Sequence, residues 1–135
     1  MAYINQDMKK KLAPGIKAVL KKYGIKGSIA VKHHSELVVT LREGNLDLIS
    51  GYERKTGQET GGYVQVNQYY ISRDFPGIMV QFLEELQNAM DGRGADIGNW
   101  DRSDSMTDYF DVGWYISIQI GRWDKPYRYI GSTID

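Results

Sequence analysis

The stretch Phe110-Asp111-Val112-Gly113-Trp114-Tyr115-Ile116-Ser117-Ile118-Gln119-Ile120 decides how the rest of the chain is read. Phe110, Val112, Trp114, Ile116, Ile118 and Ile120 take every second position, with Asp111, Gly113, Tyr115, Ser117 and Gln119 between them. That is the period of a strand with one face in a core and the other toward water. Such a strand needs neighbours along its edges and an apolar layer over its inner face. Both are legible upstream.

The neighbours begin at Ser28. Ile29 and Val31, then Leu37, Val39 and Leu41, alternate with Ala30, Lys32, Val38, Thr40 and Arg42, which predicts a β-hairpin turning near His33-His34-Ser35. Gly44-Asn45 closes its second strand. Leu46 to Ile49 is a short apolar run of no assignable class, and the polar, glycine-rich residues from Gly51 to Gly62 read as a surface loop or a long hairpin tip. Tyr63 to Ile71, rich in tyrosine and valine, reads as a third strand.

The covering layer comes from two helical stripes. Met8, Leu12, Ile16, Val19, Leu20 and Tyr23 lie on one side of a helix from about Asn5 to Tyr23, with Asn5 or Asp7 as its cap, Lys21 and Lys22 in its last turn and Gly24 to end it. Pro14-Gly15 conflicts with this, so the expectation is a kinked helix or a turn followed by a helix from Pro14. Asp74 and Pro76 mark a second helix whose buried face is Ile78, Met79, Phe82, Leu83, Leu86 and Met90, stopped by Gly92. The predicted fold is α+β: an antiparallel sheet of about four strands with two helices on one face, in α-β-β-β-α-β order, as one domain over residues 1–135. Trp123-Asp124-Lys125-Pro126 reads as a turn before a short aromatic tail from Tyr127 to Ile130.

Composition narrows the function classes. With 41% hydrophobic and 25% charged residues the chain is globular, and with no cysteine it has no disulfide, thiol nucleophile or Cys-based metal site. The N-terminus lacks a signal-peptide pattern and no apolar run approaches a membrane span, so the expectation is a cytoplasmic protein without a membrane partner. Seventeen basic and seventeen acidic residues cancel, but they are segregated. Up to Lys32 eight lysines face Asp7 alone, leaving that part seven positive and the remainder seven negative.

Two charged regions are therefore the candidate surfaces. Lys10, Lys11, Lys17, Lys21 and Lys22 project away from the apolar stripe of the first helix and form a basic face, either as phosphate contacts or simply as the soluble side of an amphipathic helix. Trp100, Asp101 and Asp104 lie in the long aperiodic segment from Asp91 to Thr107, within a stretch that is six negative between Glu84 and Asp111. Asp101, Asp104 and Asp108 offer oxygen ligands, though their spacing is not that of a helix–loop–helix calcium site. Tyr115 shares the outward face of the last strand with Ser117 and Gln119, as a contact surface or as the cross-strand partner of Tyr63 or Tyr69. His33 and His34 sit together at the hairpin tip; adjacent strand residues point to opposite faces, so the pair converges only if the turn brings them together. No phosphate loop, dinucleotide fingerprint, serine elbow or HExxH pattern is present, and no cofactor is expected. The helix, three strands and helix occur in the same order in double-stranded RNA-binding domains. Here the second helix opens Phe75-Pro76-Gly77-Ile78-Met79 and runs through Glu84-Glu85, without the phosphate-binding lysines of such domains.

Met106-Thr-Asp-Tyr-Phe-Asp-Val-Gly-Trp-Tyr115, continuing to Gly121-Arg-Trp-Asp-Lys-Pro-Tyr127, resembles small proteins of unknown function encoded by tailed bacteriophages and related mobile elements. Leu12-Ala-Pro-Gly-Ile-Lys-Ala-Val-Leu-Lys-Lys-Tyr23 and Gly27-Ser-Ile-Ala-Val-Lys32 resemble the same group. The resemblance implies a phage or prophage origin and the bacterial cytoplasm, and it implies no activity and no catalytic residue. The expected function is a non-catalytic accessory protein that binds a host or phage macromolecule, a host protein ahead of nucleic acid. The alternatives are a small metal-dependent enzyme, such as a nuclease, using Asp101, Asp104, Asp108 and His34, or a self-associating virion or assembly component, a homo-oligomer.

Overall fold

The computed structural model describes residues 3–92, 98 and 113–130. Residues 99–112, with Trp100, Asp101, Asp104, Asp108, Phe110 and Val112, lie outside the described residues.

Helix α1, Gln6–Tyr23, begins where Asn5 is extended and its side chain accepts the Met8 N–H at 2.8 Å, and ends at Gly24 in the left-handed region (φ 67°). Leu12, Ile16 and Leu20 are buried beneath it. The helix is continuous over Pro14. That residue is exposed, so the ring projects outward and the carbonyl it leaves without an N–H partner faces water.

β1, Ile25–Lys32, and β2, Glu36–Gly44, form the expected antiparallel hairpin. Its turn is closed by the Ser35 N–H donating to the Lys32 carbonyl at 3.1 Å, with His33 and His34 both left-handed (φ 55° and 54°). Three residues separate the paired Lys32 and Glu36, and left-handed positions of this kind usually hold Asn or Gly, since other side chains there are strained. Replacing His33 by Asn and His34 by Gly is expected to stabilise the chain by about 1–2 kcal/mol. Equilibrium urea unfolding checks this, and an unchanged midpoint would mean that the imidazoles make compensating contacts. Near its end β2 holds one extra residue, Arg42, because Gly27 faces Leu41 while Lys26 faces Glu43.

Gly51 to Thr56, expected to open a loop, instead belong to α2, Leu48–Thr56, capped by Asp47 and ended by Gly57, while Gly57 to Gly62 lie outside any helix or strand as expected. Leu48 and Gly51 are its buried residues. A Cβ on Gly51 would stand 2.4 Å from Met79 Sδ, so a larger residue here requires the end of the Met79 side chain to move. The third strand is also shorter than expected: β3 is Val64–Gln65, and the chain then turns through Asn67 to Tyr70 into α3, Ile71–Asp74. Asp74 thus ends α3 rather than capping the next helix; its buried carboxylate takes a 2.8 Å bond from Arg73 Nε. α4, Gly77–Met90, buries Met79, Phe82, Leu83, Leu86, Ala89 and Met90. Ile78, expected in that stripe, is exposed, one position out of phase, and Phe75 fills the core in its place.

The last strands correct the sheet itself. β4, Tyr115–Ile120, runs parallel to β2, with Glu36 beside Tyr115 and Leu41 beside Ile120, while β3 is antiparallel to β4. β5, Arg128–Tyr129, continues along the same edge of β2, also parallel, at Glu43 and Gly44. The order is β1-β2-β4-β3, so the sheet is mixed and not antiparallel. Alternation reports which face a residue takes and is blind to strand direction. Direction is set by the connection: the long passage through α2, α3 and α4 returns the chain to the start of β2, as parallel neighbours require. The fold is α+β, with four helices and a five-stranded mixed sheet among the described residues.

One cluster joins Leu12, Ile16 and Leu20 of α1, Phe82, Leu83 and Leu86 of α4, and Leu37, Val39, Leu41, Ile118 and Ile120 of the sheet. Trp114 is buried just before β4 and donates from Nε1 to the Met90 carbonyl at 3.0 Å.

Candidate functional site

Buried Leu12, Ile16 and Leu20 fix the roll of α1, which leaves Lys10, Lys11, Lys17, Lys21 and Lys22 all exposed, as the helical spacing predicts. Lys10, Lys17 and Lys21 follow one line, seven and four residues apart, spanning ~16 Å of helix axis. Lys11 and Lys22 lie three turns apart on the adjoining line.

These lysines are not equivalent. Lys22 Nζ lies 2.8 Å from Glu85 Oε1, Tyr23 donates its hydroxyl to Glu85 Oε2, and Gln81 Nε2 donates to the same oxygen at 3.2 Å. This clasp joins α1 to α4 beside the edge-to-face rings of Tyr23 and Phe82. The hydrogen bonds from Lys22 and then Tyr23 hold the Glu85 carboxyl down, from 4.5 to about 2. Burial first, and then the bond to Glu85, push the Tyr23 hydroxyl up. Lys10, Lys11, Lys17 and Lys21 make no ion pair among the described residues.

Because the Glu85 carboxyl is depressed in the folded chain, its stabilisation is present above about pH 4.5 and fades as pH falls toward 2. Thermal unfolding of Glu85→Gln is expected to show lower stability than the parent at pH 7 and a smaller fall across that acid window. Parallel curves for the two proteins would show that the clasp does not set the acid response.

His33 and His34, brought together by their turn, line one open cavity of about 400 Å³ with Tyr3, Asn5, Gln6 and Asp7 at the start of α1. Among the described residues no three His, Asp or Glu side chains are grouped closely enough to hold a metal. The aspartates considered as ligands, Asp101, Asp104 and Asp108, lie outside the described residues, as does Trp100.

Tyr115 is half exposed on the face of β4 away from the core, with Ser117 and Gln119. Its register neighbour is Glu36 rather than Tyr63 or Tyr69, because β3 reaches only Gln119 and Ile120. On that side Gln65 Nε2 donates to the buried Ser117 Oγ at 3.1 Å and Thr40 Oγ1 to Gln119 Oε1 at 3.4 Å, hydrogen bonds that link three strands.

The residue that sequence reasoning passed over is Trp123. It is 84% exposed at the tip of a turn closed by Arg122 N–H to Lys125 O at 2.8 Å and Lys125 N–H to Arg122 O at 3.1 Å. The turn itself was legible in Trp123-Asp124-Lys125-Pro126. A two-residue tip has no interior for an indole to enter, and that was the available signal.

Among the described residues no helix is long and apolar enough to cross a membrane. Comparison of the chain with protein-family models, with curated proteins and with solved structures gave no match.

Proposed function

We propose that this chain is a non-catalytic binding protein that holds an anionic macromolecule against the outer face of α1. The observation that carries the reading is the set of Lys10, Lys11, Lys17 and Lys21, exposed on one rigid helix and without a carboxylate partner among the described residues. The chain as a whole carries no net charge, so a concentration of one sign is a local feature that attracts the opposite sign. Lysine without arginine suits phosphate or carboxylate contacts that need no planar fork. The setting implied by the resemblance, a phage product acting in the bacterial cytoplasm on a host protein or a nucleic acid, belongs to the same proposal.

The test is affinity capture from bacterial lysate, with and without nuclease, using the parent and a Lys10→Glu, Lys17→Glu, Lys21→Glu variant. The variant is expected to lose the retained macromolecule while unfolding within about 1.5 kcal/mol of the parent, since each of the three substitutions is on the surface. A variant that retains the same partner at the same salt concentration would remove α1 as the contact surface.

A further inference from the structure

The end of the sheet where β2 finishes gathers cations from separate parts of the chain. Gly24, closing α1, accepts the Asn45 N–H, which brings Lys21 and Lys22 to this end. Register sets Lys26 on one side of Glu43 and Arg128 on the other. Arg42 is the extra residue at the same place, exposed between two neighbours that both break there. The Trp123 turn follows β4 directly and adds Arg122 and Lys125.

Four of the carboxylates here are engaged within the chain. Glu43 lies 3.8 Å from Lys26 and 3.6 Å from Arg128, Glu85 takes Lys22, Asp124 is 3.6 Å from Arg122, and Asp47 caps α2. Lys21, Arg42 and Lys125 remain exposed and without an ion pair among the described residues. Trp123 and Tyr129 are exposed beside them in sequence and register. Their base is firm: Gly121 N–H donates to Leu41 O, Tyr127 N–H to Gly62 O, and the buried Tyr127 hydroxyl to Leu46 O at 2.7 Å.

We infer that this end of the sheet binds single-stranded nucleic acid, with Trp123 and Tyr129 stacking on bases and Lys21, Arg42 and Lys125 contacting phosphates. The inference rests on the reading of α1 as a polyanion-binding face and names the polymer. An indole left open in water on a rigid support can stack on any base, and cations beside it track the backbone. Bases in a duplex already stack on one another and offer no free face. A protein hot spot needs an apolar surround that excludes water, whereas Trp123 has Arg122, Asp124 and Lys125 around it in its turn.

Fluorescence anisotropy with a labelled thymidine 20-mer, a 20-base-pair duplex and heparin separates the inference from the reading beneath it. The parent is expected to bind the single strand more tightly than the duplex, and more weakly as salt rises. Trp123→Ala should weaken single-strand binding about tenfold and leave heparin binding unchanged, and Trp123→Phe should restore most of the loss. Equal binding of the 20-mer by parent and Trp123→Ala, or a preference for duplex, overturns the inference. The α1 reading then stands if the triple glutamate variant still loses heparin. An acidic protein captured in the presence of nuclease, with no binding of the 20-mer, also overturns the inference alone. A parent that binds none of the three probes and captures no macromolecule from lysate overturns both.

Discussion

Phe82→Ala is expected to lower the unfolding free energy by about 3–5 kcal/mol, a large share of what a domain of this size has to lose. Phe82 is fully buried and packs its ring edge-to-face on Tyr23, with centroids 5.1 Å apart, so it touches α1 from the middle of the α4 stripe. Truncation removes the transfer free energy of the ring and leaves a cavity between two helices held elsewhere by the Glu85 clasp and cannot fully close. Phe82→Leu keeps most of the volume and is expected to cost under about 1.5 kcal/mol. Urea unfolding of the two variants beside the parent checks the pair. Equal losses would mean that the aromatic contact, rather than the cavity, dominates.

The second large effect is expected at Gly121. It is left-handed (φ 74°), and a Cβ there would stand 2.4 Å from the Gly62 carbonyl oxygen and 2.6 Å from the Tyr127 nitrogen. Both are backbone atoms, and neither can swing aside as the end of a side chain can. Gly121→Ala therefore combines conformational strain with a collision, together about 2–5 kcal/mol. The damage should be local: the Tyr127 N–H to Gly62 bond opens first, freeing β5 and the Trp123 turn from β2 while the α1–α4 core persists. Amide hydrogen exchange would show faster exchange at Tyr127 and Ile130 than in the parent, with Leu37 to Leu41 retaining protection. Uniformly faster exchange throughout would place this corner within the global folding unit instead.

What the residues disclosed depended on how many local signals agreed. α1 was legible because its apolar spacing, the Asn5 cap and Gly24 all point the same way, enough to override Pro14. The hairpin and β4 were legible because alternation is unambiguous where one face is buried. α2 was hidden: its fit depends on Gly51 meeting Met79, a contact with a residue far along the chain, and its exposed side looks like a polar loop. The strand expected from Tyr63 to Ile71 failed because tyrosine and valine report β propensity, while the length of pairing is set by how far β4 accompanies it. In the candidate site the lysines followed from helix geometry alone. Trp123 did not, because aromatic residues are expected to be inside and only the tightness of its turn argues otherwise.

The parallel neighbour of β2 has a consequence for how the chain is made. When Gly44 leaves the ribosome, β1 is already at hand to pair with β2, but the partners of its other edge, Tyr115–Ile120 and Arg128–Tyr129, follow it about seventy residues or more behind. At about 5–20 residues per second that edge, with Leu37, Val39 and Leu41, waits several seconds without its hydrogen-bonding partner. A ribosome stalled between Met90 and Gly113 would release a chain with both helical stripes complete and the middle of its sheet missing, a natural client for a chaperone that recognises unpaired strands.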